Sequence, residues 1–191
     1  MLKAKMAGFM LIELVATVSI VAIVLTLGLP SFQDMIRANR MAAHSNRFLG
    51  ALNLARSEAI KRGQMVFLCK ADTEAAQPAC DSAPCADGGC WEKGWLVLAD
   101  ANSPPNNLPD DADTLIRVFE PLPKTLTLRV GSHDADWVAF NSVGTGKGSG
   151  AGGQVDDTFN LCQGGDMAKG RAIVLNSLGR ARVQTGATAC P

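Results

Sequence analysis

The run from residue 8 to residue 30, GFMLIELVATVSIVAIVLTLGLP, constrains this chain more than any other stretch. Between Phe9 and Leu29 a single ionisable side chain, Glu13, interrupts the apolar residues. A helix of that length rises ~30 Å, enough to cross the hydrocarbon core of a bilayer, so the run is expected to span a membrane. Only eight residues precede Phe9, and they carry Lys3 and Lys5. Positive flanks stay cytoplasmic, which places the rest of the chain on the far side. A carboxylate at the bilayer centre costs roughly 2.5–3.5 kcal/mol on insertion scales, so Glu13 needs a partner. A newly made amino terminus is a suitable one. The bland alternative is a plain signal anchor with a snorkelling Glu13. A cleaved secretory signal fits less well, because its apolar core is about 7–15 residues and ends at a small-x-small site.

Gly8-Phe9, Glu13 at the fifth position after the glycine and Pro30 at the twenty-second resemble the class III leader of type IV pilins and pseudopilins. The resemblance implies that a prepilin peptidase cuts between Gly8 and Phe9 and methylates Phe9. It implies that Glu13 pairs with the N-terminal amine of a neighbouring subunit during assembly. Met10 departs from the family, where threonine is common.

Beyond Pro30 a polar, helix-forming run reaches Gly63 without another proline. Phe48, Leu52, Ala55 and Ala59 recur at helical spacing, flanked by Leu49 and Ile60, and form a stripe expected to dock on a sheet. Lys61 and Arg62 make a basic last turn, and Gly63 tolerates the left-handed conformation that ends helices. The helix is therefore expected over 9–62, with Gly28 and Pro30 as points where it kinks or loosens. The segment 54–63, LARSEAIKRG, resembles one in the GspH/FimT branch of the pilin superfamily. That branch holds minor pseudopilins of type II secretion and minor pilins of type IV pili.

From Gln64 the pattern changes to short β-type runs, at 64–70, 94–100, 114–120, 125–130, 137–141, 158–162, 171–176 and 181–185. One long helix followed by seven or eight strands is an α+β arrangement, a helix packed on antiparallel sheet. The resemblance implies the type IV pilin-like version of it. The expected organisation is a leader at 1–8, a transmembrane helix at 9–29, its amphipathic continuation at 30–63 and a β-rich periplasmic head at 64–191. Three loops are long: 71–93, 101–113 and the glycine-rich 143–154, the last expected to be mobile.

Six cysteines, at 69, 80, 85, 90, 162 and 190, in an exported domain are most simply three disulfides, for which fifteen connectivities are open. Cys162 and Cys190, remote from the others, are expected to tie down the last strand. Cys69, Cys80, Cys85 and Cys90 then pair among themselves, with Cys69 to Cys90 as the suggested bond. Their spacing also permits a four-thiolate zinc site, which the oxidising compartment disfavours. No metal and no cofactor is therefore expected.

Catalytic constellations are missing from the pattern. His44 and His133 stand apart from any Ser or Cys nucleophile arrangement, so the chain is not expected to be an enzyme. The run GKGSGAGG lacks the spacing of a phosphate-binding loop. Asp110-Asp111 and Asp156-Asp157 read as loop charge rather than calcium ligands. Net charge is zero, and removal of Lys3 and Lys5 with the leader brings it to −2, so any nucleic-acid patch must be local. One candidate is Gly179-Arg180-Ala181-Arg182. In a strand Arg180 and Arg182 project from one face, at a spacing close to that of phosphates along a nucleic-acid strand. The sequence GRAR resembles a GRxR motif with which FimT-type minor pilins bind DNA, and Lys169 and Arg171 extend the patch if their strand is adjacent. The bland reading is a hairpin turn with exposed arginines.

The resemblance implies a minor pilin or pseudopilin, held in the inner membrane, that helps prime and assemble a filament. Its cysteine-rich head is more similar to FimT- and FimU-type pilins than to the secretion pseudopilin. The implied partners are other major and minor pilins or pseudopilins, prepilin peptidase, an inner-membrane assembly platform, membrane lipid and double-stranded DNA.

Overall fold

In the computed structural model, helix α1 spans Leu11–Arg62. The described residues are 10–73, 78–81, 91–102, 104, 106–110, 112–131, 136–149, 153, 155 and 157–190, with backbone only at 27–30. The chain falls into two compact units, Met1–Arg40 and Met41–Pro191. α1 ends where its sequence says it must: Gly63 adopts φ 68° and its N–H donates to the Ala59 carbonyl at 2.9 Å. That bond caps one of the carbonyls a helix end leaves unpaired.

In the second unit the buried face of α1 is Met41, Ser45, Phe48, Ala51, Leu52, Ala55 and Ala59. The Ser45 hydroxyl donates to the Ala42 carbonyl at 3.0 Å, so burying it leaves no open donor. The three alanines keep the helix surface low enough for strands to approach.

Nine strands follow among the described residues. The first sheet contains β1 (Val66–Lys70), β2 (Trp95–Ala99), β3 (Thr114–Phe119), β5 (Trp137–Phe140) and β6 (Gly146–Gly148), in the order β3-β2-β1-β5-β6. The second contains β4 (Leu126–Val130), β7 (Asp157–Gln163), β8 (Arg171–Leu175) and β9 (Ala181–Thr185), in the order β4-β7-β8-β9. Every ladder is antiparallel. A 3₁₀ turn, Trp91–Lys93, precedes β2. The architecture is thus the α+β one that the sequence predicts.

Phe48 ties the helix to both sheets. Its ring lies edge-on to Trp95 of β2 at 5.1 Å and to Trp91 at 5.4 Å, and it tilts against Phe159 of β7 at 4.9 Å. Aromatic pairs at such distances and angles add about 0.5–1.5 kcal/mol each beyond the area they bury.

A second, smaller core covers the other face of the first sheet, with Phe67, Cys69, Ala71, Leu96, Leu98 and Ala139. β1 and β2 are consequently buried at every position, on both faces. Lys70, at the end of β1, is 2% exposed and pairs with Asp136 at 2.6 Å, which neutralises a charge that would otherwise be costly to bury.

Two expectations are corrected here. Cys69 bonds to Cys80 and not to Cys90. After β1 the chain folds back early, so Ala71 bridges Cys80 and the Asp81 N–H donates to the Lys70 carbonyl at 2.9 Å. This return brings the Cα atoms of Cys69 and Cys80 to 5.5 Å, within disulfide reach. Cys85 and Cys90 lie outside the described residues. Part of the glycine-rich run is strand rather than mobile loop: β6 pairs with β5 from Val138–Gly148 to Phe140–Gly146. Glycine is required at 146, because a Cβ there would fall 2.4 Å from the Val155 side chain.

Candidate functional site

In the first unit, the side chains from Met10 to Thr26 are all exposed. An 18-residue window of α1 has mean hydropathy 2.4 and none of it is buried. Its hydroxyls satisfy themselves: Thr17, Ser19 and Thr26 donate to the carbonyls of Leu14, Val15 and Ile23 at 2.7–2.8 Å. These bonds leave Glu13 as the one polar side chain in the segment still in need of a partner, as an apolar surroundings would demand. Gly8 and Phe9 lie outside the described residues.

In the second unit, the GRAR run occupies the edge of the second sheet. Leu175, Ile173, Ala181 and Val183 point to the helix-side core, so alternation sends Arg182, Gln184 and Val174 to the opposite face. Arg180 and Arg182 are both exposed. The Arg182 guanidinium reaches the Gln184 amide oxygen, at 3.1 and 3.3 Å once that amide is oriented to accept. Arg171 pairs in register with Leu161 and so belongs to the core-side row, although its strand does neighbour β9. Lys169 is exposed in the turn between β7 and β8. Arg182 thus lies on the outer face of β9 and Arg180 in the turn that precedes the strand, while Arg171 lies on the other face.

Behind Arg180 lies a feature that residue type alone does not reveal. Asn176-Ser177-Leu178-Gly179 closes the β8–β9 hairpin, and Asn141-Ser142-Val143-Gly144 closes the β5–β6 hairpin. In each turn the glycine N–H donates to the asparagine carbonyl at 2.8 Å, and the asparagine N–H donates to the residue after the glycine at 3.1 Å. Both glycines have positive φ, 79° at Gly144 and 72° at Gly179. The turns belong to different sheets and touch: the Gly146 N–H donates to the Ser177 carbonyl at 3.1 Å, and Arg56 Nε donates to the Gly144 carbonyl at 3.0 Å. The repeated Asn-Ser-aliphatic-Gly was the signal available in the sequence.

The tail after β9 crosses the outer face of the second sheet. The Thr188 N–H and hydroxyl donate to Asn160 Oδ1 at 2.8 and 3.0 Å, and Cys190 bonds to Cys162. Cys69 and Cys80, being disulfide-bonded, are not thiolate ligands. Among the described residues no group of three or more His, Cys, Asp or Glu side chains is placed to hold a metal ion.

The model of the family described as type II transport protein GspH matches residues 44–179. No curated protein sequence matches the chain. Two crystal structures of the type IV minor pilin FimU from Pseudomonas aeruginosa (strain PAO1) share its fold. One, in space group P21, has TM-score 0.56 and 19% identity, covering 80% of this chain and 96% of that one. The other, in space group P65, has TM-score 0.54 and 19% identity over 78% and 99% of the two chains.

Proposed function

Because the chain belongs to the GspH family of minor pilins and pseudopilins, we propose that it takes part in priming and assembling a type IV pilus. It is anchored in the inner membrane by the first half of α1, with its head in the periplasm. The observation that carries this reading is the fully exposed apolar segment with Glu13 as its lone acid. Buried among like helices, that carboxylate answers an amine far more strongly than it would in water. On this reading residues 1–8 are removed between Gly8 and Phe9 by prepilin peptidase and Phe9 is methylated. Its partners are other pilins and the inner-membrane assembly platform.

Expression of the full chain in cells tests this. Mass spectrometry should find N-methylated Phe9 at the start of the membrane form, and an intact Met1 overturns the reading. Glu13→Ala should leave cleavage intact and reduce piliation. If deletion abolishes protein secretion and leaves pili unchanged, the chain serves a type II secretion pseudopilus instead, the machine named in the family's description.

The exposed arginines Arg180 and Arg182, two residues apart at the start of β9, favour a second reading, double-stranded DNA captured by the head. Phosphate binding through two arginines is weakened by salt with a slope of roughly −0.9 per contact. In mobility-shift titrations of the detergent-solubilised chain, R180A/R182A should weaken binding and flatten that slope. Equal binding by both proteins removes the reading.

A further inference from the structure

Strand β3 stands at the margin of the first sheet, with β2 on one side and, among the described residues, no strand on the other. Four of its six residues are exposed, among them Leu115 at 49% and Val118 at 39%. An open row of N–H and C=O groups beside apolar side chains is a template for another strand. Native edges are often guarded by Lys or Pro, and TLIRVF has neither. Its one charge, Arg117, is folded over the ring of Phe119, with 4.9 Å between the guanidinium carbon and the ring centroid.

The edge is also irregular. The register of β3 on β2 slips between Val97 and Leu98, so Ile116 is the extra residue of a β-bulge. That bulge decides which way each side chain faces. Leu115 and Val118 lie opposite Leu98 and Leu96, on the outer face of the sheet. Thr114, Arg117 and Phe119 lie opposite Ala99, Val97 and Trp95, on the helix-side face, and Ile116 packs against that same core. From Thr114 to Phe119 the faces therefore run in, out, in, in, out, in, an order that reads the same from either end. A regular strand alternates at every residue, so it cannot match β3 on both sides of the bulge. A second β3, laid antiparallel, matches it throughout.

We propose that two copies of this chain join edge to edge through β3, antiparallel, with Thr114 of one copy opposite Phe119 of the other and Leu115 opposite Val118. The contact is isologous, so it closes as a dimer and goes no further. On the outer face, Leu115 and Val118 of both copies come together as one apolar cluster of four side chains. On the helix-side face each Arg117 leans towards its own Phe119, and antiparallel pairing turns the two leanings in opposite directions, which separates the like charges. A six-residue ladder is a small contact, so the dimer forms at high local concentration and dissociates on dilution. This inference goes beyond the filament reading and needs neither Glu13 nor a pilus.

The test uses the full chain in detergent micelles at high protein concentration. Leu115→Cys and Val118→Cys are prepared separately, then oxidised alone and as a mixture. Residues directly opposite each other stand ~4.5–5.5 Å apart at Cβ, close enough for a disulfide to form. In the same pairing each position lies three residues, roughly 10 Å, along the strand from its own equivalent in the other copy. The mixture should therefore give at least ten times more disulfide-linked dimer than either variant alone. Both substitutions are at exposed positions, and melting temperatures close to that of the unsubstituted chain check that the variants are folded. The proposal is overturned if the folded, monodisperse proteins give no crossed dimer, or if each variant couples to itself as readily as to the other. It is overturned also if Leu115→Cys is captured by a co-expressed pilin of another kind and not by Val118→Cys. Because the assay needs no pilus, its failure leaves the Glu13 and Phe9 tests untouched.

Discussion

The carbonyl oxygen of Gly144 occupies the space in which residue 179 would carry a side chain. A Cβ built on Gly179 falls 2.2 Å from that oxygen and 3.2 Å from the Phe140 ring, and φ at Gly179 is 72°. Two hairpins from separate sheets are therefore in backbone contact at a point where only glycine fits.

Gly179→Ala should destabilise the head by about 2–4 kcal/mol, from left-handed strain together with overpacking against backbone that cannot swing away. Urea unfolding followed by tryptophan fluorescence measures it. A loss under about 1 kcal/mol would mean the turns separate easily.

Gly50 gives the opposite result. It sits exposed in the interior of α1, and a Cβ there meets nothing within 4 Å. Gly50→Ala should raise stability by about 0.8–1 kcal/mol, the difference in helix propensity. Unchanged or lower stability in the same unfolding assay would count against the helix geometry described at this position.

Phe48→Ala removes the ring that touches Trp91, Trp95 and Phe159 together. Its cost should be about 3–5 kcal/mol, at the upper end if the two sheets cannot close over the cavity. Near-ultraviolet circular dichroism should lose intensity as the tryptophans lose their edge-on neighbour.

His44 makes stability fall in mild acid. Burial, with the Arg47 charge adding to it, holds the imidazole pKa below its ordinary 6.5, and Nδ1 is buried without a hydrogen-bond partner. The unfolded chain takes up this proton at about pH 6.5 and the folded chain only lower. The contribution is thus complete above that pH and is lost as pH falls through the folded value. Melting temperature should decline from pH 7 towards pH 5, and His44→Gln should flatten that decline. Parallel curves for the two proteins would refute the assignment.

Much of the fold could be read from local chemistry. Gly63 after Lys61 and Arg62 stops α1, and Gly94-Trp95 opens β2 because φ at Gly94 is 112°, a conformation other residues avoid. Each expected strand overlaps an observed one, since turn residues and β-branched runs act within a few residues of themselves. What escaped notice depends on distant partners. Cys69 chose Cys80 through the fold-back at Ala71, β6 needed β5 to become a strand, and the burial of β1 on both faces required a covering that no period-2 pattern records. For the arginines, spacing treated Arg180 as a strand residue on the face of Arg182, whereas β9 begins at Ala181. It could not show that Arg171 belongs to the core-side row, because that follows from its register with Leu161.

The bond from Cys190 back to Cys162 changes how the head can come apart. β9 has only β8 beside it, and an outermost strand ordinarily frays first. Here the residues beyond it are stitched to β7, two strands inward, so peeling from that end must stretch a closed covalent ring. Fraying should therefore begin at edges without such a stitch, β4 of the same sheet or β3 and β6 of the other, and slow amide exchange should persist along β9 until the Cys162–Cys190 disulfide is reduced.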